Sequence, residues 1–277
     1  MSPIVETASI VGLGLMGGSL AHDLAARGVR VRAYDVDERQ LEDAICSGVV
    51  SERLRGDLQD IAADVVVIAV PVDAAAHVLA RAAPFVGEAG LITDLGSTKA
   101  SIVRAARDLG LSSRFVGSHP MSGDHRSGWP AARRGLFVDA RVYLCPASEE
   151  AMAAASLATR LWTELGAAPE IIAPDEHDRR LAWASHLPHV AAASLALAMS
   201  SAGVARGELG PGGRDTTRLA GSSPELWTAI AVENAAELDA ALASAEREIA
   251  SFRRALARGD AGEVRRRFAA ARQWFEV

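Results

Sequence analysis

The stretch "SIVGLGLMGGSLA", residues 9–21, decides the fold of this chain. An apolar run typical of a buried strand leads into Gly12, Gly14 and Gly17, and a helical pattern follows. The spacing G-x-G-x-x-G is informative only in this context, at the turn from a first strand into a helix. There the glycines let the backbone approach a pyrophosphate, and the helix N-terminus supplies amide donors.

The end of the next strand narrows the choice of cofactor. The strand pattern stops at Asp35, 18 residues after Gly17, where a carboxylate can accept hydrogen bonds from both ribose hydroxyls of an adenosine. Val36 rather than an arginine follows, and the carboxylate would repel a 2′-phosphate, so NAD is predicted over NADP. Further cofactor-binding positions are predicted at Leu15, Met16, Val70 and Ser97. The alternatives are a turn that binds nothing and an FAD site, although the chain is short for a flavoenzyme.

Residues 1–173 alternate short β-branched runs with longer amphipathic stretches, which is typical of a parallel sheet flanked by helices. Strands are predicted at 8–11, 29–34, 64–70, 90–94, 114–117, 141–145 and 170–172. Helices are predicted at 16–27, 38–47, 73–83, 98–109 and 149–165. The fold class is therefore α/β, with an N-terminal NAD-binding domain of Rossmann type built on a doubly wound parallel sheet.

Residues 174–277 show no strand pattern and predict an all-α domain. One helix is expected over 176–202 with a kink at Pro188, followed by a glycine-rich loop over 207–224. Ser223 is expected to cap a helix that runs to Ala257, and Asp260 to cap a last helix ending near Phe275. Helices this long need a partner for their apolar faces, so a homodimer through this domain is predicted, with packing on the first domain as the alternative.

Composition excludes several classes of protein. A hydrophobic content of 49% among 277 residues argues against disorder, and a net charge of −6 argues against a nucleic-acid partner. The two cysteines, Cys46 and Cys145, have no metal spacing and predict no disulfide framework. No signal segment and no run of about 18 apolar residues is found, so a soluble, cytoplasmic protein without a membrane partner is expected.

Two predicted strands end next to polar residues that could meet a ligand. Ser97 in "LITDLGSTKASI" follows one strand at the edge where such sheets bind ligands, although it could simply cap the next helix. Lys99, the only lysine in the chain, is expected to be a surface charge rather than an anchor for an anion. His119 in "FVGSHPMSGDHRSGW" follows another strand, and an imidazole there could take a proton while a hydride leaves the same carbon.

The helical domain holds a second set of candidates. "WASHLPHVAAA" places His186 and His189 three residues apart, on one face of a helix, where they could line a substrate cleft or belong to the core. No further ligand is at metal spacing, so no metal site is predicted. "GGRDTTRLAG" carries Asp215 and Arg218, and arginine can bind a carboxylate through two hydrogen bonds, although a loop arginine is usually solvated.

Taken together, "VGLGLMGGSLA", "TDLGSTKASI", "GSHPMSGDHRSG", "ASHLPH" and "GGRDTTRLAGSSPELW" resemble the prephenate/arogenate dehydrogenase family, in this order. The resemblance runs from about residue 10 to residue 234. It implies a homodimer, NAD, and oxidative decarboxylation of a cyclohexadienol carboxylate on the route to tyrosine. It also implies that His119 is the catalytic histidine, hydrogen-bonded to the ring hydroxyl of the substrate, and that Ser97 shares this contact. Arg218 would hold a substrate carboxylate, with His189 and His186 lining the same pocket. Asp215 is a further candidate for substrate binding.

One position departs from the family pattern. Many members have glutamate where this chain has His125, and that change removes a negative charge near an anionic substrate. The substrate therefore stays open among prephenate, arogenate and 4-amino-4-deoxyprephenate, with prephenate favoured because it lacks the ammonium. A β-hydroxyacid or imine-type NAD(P) dehydrogenase is a more distant alternative; those enzymes usually take a lysine or aspartate from the helical domain, and this chain has no lysine there. A protein that binds NAD without catalysis is the non-enzymatic alternative.

Overall fold

A five-stranded parallel sheet forms the centre of the N-terminal half, in the order β3-β2-β1-β4-β5. The computed structural model describes residues 4–123 and 126–276. The strands of this sheet are β1 (Thr7–Val11), β2 (Arg30–Tyr34), β3 (Glu52–Arg53), β4 (Val65–Ile68) and β5 (Leu91–Asp94). This strand order confirms the predicted Rossmann-type fold, whose ligands bind at the carboxyl ends of the strands.

Helices follow the strands as the sequence pattern predicts. They are α1 (Leu15–Ala25), α2 (Glu38–Cys46), α3 (Val72–Ala82), α4 (Ala100–Asp108) and α5 (Met152–Glu164). Ala8 and Ile10 of β1 share the main core with Leu20 of α1 and Trp162 of α5. Ser9, between them, is also fully buried, so both faces of the sheet are covered.

A second sheet carries the next candidate residues. It consists of β6 (Val116–Pro120), β7 (Arg141–Pro146) and β8 (Ala168–Ile171), with β6 and β7 antiparallel and β7 and β8 parallel. The antiparallel pair departs from the predicted all-parallel arrangement because the described residues between β6 and β7 form a 3₁₀ turn at Trp129–Ala131 in place of a crossover helix. A parallel bridge from Ile92 to Phe115 places β6 beside β5.

Two differences from the predicted strands have simple causes. The edge strand β3 was missed because its two residues are charged and exposed and give no apolar pattern. The strand β6 extends to Pro120 rather than ending at Gly117, so His119 lies within the strand and pairs with Tyr143 of β7.

The helical part contains α6 (Pro174–Leu181), α7 (Leu187–Ser201), α8 (Pro211–Thr216), α9 (Pro224–Glu233), α10 (Ala235–Ala257) and α11 (Ala261–Phe275). The helix expected over 176–202 is interrupted by a π-turn at Ala182–His186, because Pro188 has no amide to donate to the preceding turn. The expected glycine-rich loop contains α8, and the helix expected from Ser223 to Ala257 breaks at Asn234. The Ser223 and Asp260 caps are confirmed, accepting from the amides of Leu226 and Glu263.

The described chain divides into two compact units. The first contains residues up to Arg180 together with Gly221–Asn234, and the second contains Leu181–Ala220 and the residues from Ala235 onward. In the second unit, α10 contacts α7 and α11, with the Phe252 and Phe268 ring centroids 5.2 Å apart. The sequence-based division into 1–173 and 174–277 remains a proposal about the domains. None of the described helices is both long and apolar enough to cross a membrane.

Candidate active site

The glycine-rich turn between β1 and α1 has the shape that a dinucleotide requires. Gly12 has φ +99°, and a Cβ there would lie 2.4 Å from the carbonyl oxygen of Ala69. A Cβ on Gly17 would lie 2.0 Å from the Gly12 oxygen, so neither position accepts a larger residue. At Gly14, by contrast, a Cβ would meet nothing within 4 Å. The first amides of α1 therefore border open space, which fits a bound pyrophosphate.

The other cofactor candidates lie at the same edge of the sheet. Asp35 follows β2 and is buried; its two oxygens accept hydrogen bonds from the amides of Leu13 (2.5 Å) and Asp37 (2.8 Å). It thus also fixes the glycine-rich turn, and a carboxylate has lone pairs for further donors. Val36 is 86% exposed beside it. Leu15, Met16 and Val70 are half-buried, and Val70 follows β4.

Ser97 lies in the turn after β5 and is half-buried. It does not cap the next helix, which begins at Ala100 rather than at residue 98. The capping group comes from Asp178, whose Oδ1 accepts from the amide of Lys99 and whose Oδ2 accepts from the amide of Ala100, both at 2.8 Å. The simple capping role considered for Ser97 is therefore wrong, because a carboxylate distant in sequence occupies the helix N-terminus.

The expectation that Lys99 is a surface charge is also wrong. Its side chain is completely buried and its ammonium forms an ion pair with Asp94 at the end of β5, which is buried as well. Burial raises the pKa of Asp94, and the ammonium of Lys99 opposes that rise. Because a buried charge is tolerated only when it is paired, each of these residues requires the other.

His119 belongs to a buried chain of hydrogen bonds that starts at the carboxyl end of β6. Its Nδ1 lies 2.8 Å from Nε2 of His177, and Nδ1 of His177 lies 2.7 Å from Oδ1 of Asp178. His119 is 9% exposed, whereas His177 is fully buried. His119, His177 and Asp178 together form the His119 relay.

The surroundings fix the protonation of the inner part of the relay. Burial lowers the pKa of His177, and its hydrogen bond to Asp178 only partly offsets this. Burial would raise the pKa of Asp178, but the hydrogen bonds from His177 and from the amides of Ala100 and Lys99 hold it below its usual value. Asp178 is therefore an acceptor and His177 a neutral imidazole.

Neighbouring side chains hold the relay in place. The ring of Tyr143 meets the ring of His177 edge-on, with centroids 5.4 Å apart. Asn234, at the end of α9, donates a hydrogen bond of 2.8 Å to the carbonyl oxygen of Asp178. Next to His119 in β6, the hydroxyl of Ser118 contacts Thr93 at 2.9 Å and accepts from the indole of Trp162.

Sequence reasoning missed the roles of His177 and Asp178. They lie 58 residues from His119 and 79 residues from Lys99, respectively, so no local spacing connects them. The adjacent His-Asp pair near the start of α6 is the only signal in the sequence, and it became meaningful once its contacts were known.

The second unit holds the predicted substrate-binding residues. His189 is half-buried, and its Nδ1 donates to the carbonyl oxygen of Ser185 at 3.0 Å. Burial lowers its pKa, and the charge of Arg218 lowers it further, so these two residues lie within electrostatic reach of each other. Arg218 and Asp215 are exposed, whereas His186 is buried within the π-turn.

Two further sequence-based predictions concern His125 and metal binding. His125 lies outside the described residues, so its role as a substrate contact stays a prediction. Within residues 4–123 and 126–276, no group of three or more histidine, cysteine, aspartate or glutamate side chains is placed to hold a metal ion.

Comparison with family models gives a match along nearly the whole chain. The model described as prephenate dehydrogenase, nucleotide-binding domain, matches residues 20–171. The model described as prephenate dehydrogenase, dimerization domain, matches residues 173–270.

Individual relatives agree with the family models. The chain is 34% identical to a prephenate dehydrogenase of Bacillus subtilis (strain 168) over 99% of this chain and 76% of that protein. It resembles the crystal structure of prephenate dehydrogenase from A. aeolicus in complex with hydroxyphenyl propionate and NAD⁺, with TM-score 0.90, 26% identity and coverage of 100% and 99% of the two chains. It also resembles Synechocystis arogenate dehydrogenase, with TM-score 0.82, 27% identity and coverage of 98% and 99%.

Proposed function

Because this chain belongs to the prephenate dehydrogenase family, we propose that it catalyses the NAD⁺-dependent oxidative decarboxylation of prephenate to 4-hydroxyphenylpyruvate, on the route to tyrosine. The observation that carries the proposal is the His119 relay, which ends at the carboxyl edge of the strands, where the glycine-rich turn also lies. An imidazole at that edge can move a proton next to a dinucleotide.

The residues around the glycine-rich turn fit the cofactor. NAD⁺, when bound, supplies the acceptor for the hydride. We assign its pyrophosphate to the amides of Gly14, Leu15 and Met16 at the start of α1, where a Cβ on Gly14 would meet nothing. Asp35 is assigned to the adenosine ribose, and exposed Val36 offers no cation to a 2′-phosphate. Val70 and Ser97 are assigned to cofactor contacts from the ends of β4 and β5.

We assign to His119 the role of the base that takes the proton from the ring hydroxyl of the substrate. With Nδ1 held by His177, Nε2 is the nitrogen that accepts this proton, while Ser97 shares the hydroxyl contact. The carbon bearing the hydroxyl also loses its hydrogen as a hydride and becomes a carbonyl, which draws the electrons of the breaking carbon–carboxylate bond. Carbon dioxide leaves and the ring becomes aromatic. The same oxygen is then a phenolate, so the proton held by His119 can return to it.

Recognition of the substrate is assigned to the second unit. Prephenate carries two carboxylates, and the guanidinium of Arg218 can bind one of them through paired hydrogen bonds. His189, whose Nδ1 is fixed by the carbonyl of Ser185, presents its other ring nitrogen at a defined orientation. His186, Asp215 and His125 complete the set proposed for this role.

Assembly and location are part of the same proposal. The family model that matches residues 173–270 is described as a dimerization domain, which supports a homodimer through the helical part. Phe268 and Trp274 of α11 are 64% and 82% exposed and could be covered by a second copy. Both cysteines are free thiols, and burial raises the pKa of Cys145 to about 12. Unpaired thiols are compatible with the reducing cytoplasm.

A direct assay tests the function. The protein is incubated with NAD⁺ and either prephenate or arogenate, and NADH and carbon dioxide are followed together. We expect equal amounts of both products and a higher kcat/KM for prephenate. A higher kcat/KM for arogenate would reverse the substrate assignment. No measurable activity with prephenate, arogenate or 4-amino-4-deoxyprephenate would overturn the proposal.

A further inference from the structure

We propose that His177 and Asp178 are positioning residues that set the tautomer of His119 and stabilise the charge it acquires during turnover. The inference rests on the proposed function, in which His119 is the base. It goes further because it assigns a role to two residues that no sequence motif indicated. The contacts that support it lie within the first unit and begin at the N-terminus of α4.

Asp178 is the anchor of the relay. Both oxygens of Asp178 accept backbone amides at the start of α4, and Oδ1 also meets Nδ1 of His177. Amide groups can only donate, so this carboxyl group must be an acceptor, and an ionised one is favoured by three donors and by the helix dipole. The anchor is rigid because its carbonyl is also held by Asn234.

This anchor determines which nitrogen of each histidine carries the proton. An accepting Asp178 requires the proton of His177 to lie on Nδ1, so Nε2 of His177 carries a lone pair. Nε2 of His177 must then receive a proton from Nδ1 of His119 across 2.8 Å. In the neutral imidazole of His119, the lone pair is thereby fixed on Nε2. The relay thus leaves one tautomer, and it is the tautomer that can accept a proton at Nε2.

Asp178 also stabilises the positive charge that His119 acquires. When His119 accepts a proton it becomes an imidazolium, which the negative charge of Asp178 stabilises through His177. The other ionisable groups near His177 are Lys99 and Asp94, whose opposite charges form a pair and largely cancel, and the phenol of Tyr143. Among these groups, Asp178 is therefore the one whose negative charge stabilises protonated His119.

Replacing Asp178 by asparagine removes the charge at the end of the relay. Oδ1 accepts from both the amide of Lys99 and His177, whereas Oδ2 accepts only from the amide of Ala100, so the amide oxygen of the variant takes the place of Oδ1. The tautomers of His177 and His119 are then kept, but the imidazolium formed during turnover loses the negative charge that stabilises it. We expect kcat to fall about 10-fold, the equivalent of one pKa unit at His119. KM for prephenate should stay close to that of the wild type.

The pH profile separates positioning from a purely structural effect. We expect kcat/KM of the wild-type enzyme to fall at low pH, because a protonated His119 cannot act as the base. Without the carboxylate the imidazolium is less stable, so the pKa of His119 falls and the acidic limb should move to lower pH by about one unit. A loss of activity without such a shift, with NAD⁺ binding intact, would overturn the charge role of Asp178.

A double mutant provides the sharper test. His177→Ala leaves the carboxylate on the amides of α4 but removes both the fixed tautomer of His119 and its link to the charge, so its loss of kcat should be larger than that of Asp178→Asn. The combination of both changes should match His177→Ala alone, because Asp178 acts only through His177. Additive losses would show that the two residues contribute separately and would refute the relay.

A matched control removes another buried carboxylate. Asp23 is buried in α1 and accepts a hydrogen bond of 3.0 Å from the amide of Gly135, away from the relay. Asp23→Asn keeps that acceptor and should leave kcat and the pH profile close to wild type. Wild-type protein inactive with every substrate would count against the proposed function, whereas an active wild type with an unaltered Asp178→Asn profile would count only against the relay.

Discussion

The two sets of candidate residues differ in how they are held. In the first unit, His119 is joined to buried His177 and Asp178 by hydrogen bonds of 2.8 and 2.7 Å. In the second unit, Arg218 is exposed, and water screens its charge. With the roles proposed for these residues, the base is held in place before any ligand binds, whereas the charge of Arg218 acts at full strength only when the substrate excludes water.

The largest effect should come from His119, the end of the buried set. His119→Asn keeps a polar side chain but removes the nitrogen that accepts the proton, and we expect kcat to fall at least about 10³-fold. NAD⁺ affinity, measured by fluorescence quenching or calorimetry, should change little because the glycine-rich turn is untouched.

A second histidine supplies the control for this variant. His22 in α1 is half-buried and stacks on Trp129 with ring centroids 4.8 Å apart. His22→Asn should keep nearly full activity. Comparable losses in the two variants would mean that replacing either histidine of this unit has the same effect, and the special role of His119 would be wrong.

The next largest effect concerns stability and again contrasts buried with exposed charge. Lys99→Met leaves the carboxylate of Asp94 buried without its partner, and breaking a buried pair in this way should lower the free energy of unfolding by about 3 kcal/mol. Urea denaturation followed by tryptophan fluorescence measures the loss. Adding Asp94→Asn removes the uncompensated charge and should recover part of it.

The exposed pair Arg55–Asp57, with an N···O distance of 2.7 Å, is the control for Lys99. Arg55→Met should shift the urea midpoint very little, because water screens the pair and stabilises each charge alone. A Lys99→Met protein that unfolds at the same urea concentration as Arg55→Met would show that the buried pair is not needed for the fold.

These contrasts also explain what the sequence could predict. Apolar patterns in short stretches of sequence show where strands end, so they predicted that Asp35, Ser97 and His119 lie near the carboxyl ends of their strands. The glycine-rich turn was predicted for the same reason. The antiparallel pairing of β6 with β7 was not predicted, because it depends on the connection between the strands, whose described residues form a 3₁₀ turn, and not on the strands themselves.

The buried partners could not be predicted in this way. Lys99 looked like a surface charge because its pairing with Asp94 depends on which way the chain turns after β5. The cap of α4 comes from Asp178, 79 residues further along the chain, and His177 meets His119 across 58 residues. Contacts at such separations arise from tertiary packing, which local propensity does not encode.

Arg218 should show an effect of intermediate size and a different kind. Arg218→Ala removes a charged hydrogen-bond donor worth about 2 kcal/mol, so KM for prephenate should rise about 30-fold, with kcat changed much less. Arg214→Ala is the control, since Arg214 is exposed nearby and donates to the carbonyl of Leu209. A KM close to wild type for Arg218→Ala, or an equal rise in both variants, would refute the carboxylate role.

The smallest effect should come from Asp35, which is buried like the relay yet is proposed to contact a ligand. Asp35→Ser removes the negative charge that opposes a 2′-phosphate, and the preference for NAD⁺ over NADP⁺ should fall about 10-fold, the value of one charged hydrogen bond. Binding of NAD⁺ itself should weaken as well, because Asp35 also holds the amide of Leu13. The ratio of the kcat/KM values for NAD⁺ and NADP⁺ is therefore the informative measurement.

Asp37→Ser is the matched control. Asp37 caps α2 by accepting from the amide of Arg39, a role that serine can fill, so this variant should show the wild-type ratio. If Asp35→Ser leaves the ratio unchanged, Asp35 only stabilises the glycine-rich turn, much as Asp178 stabilises the start of α4. Other residues would then determine the choice between NAD⁺ and NADP⁺.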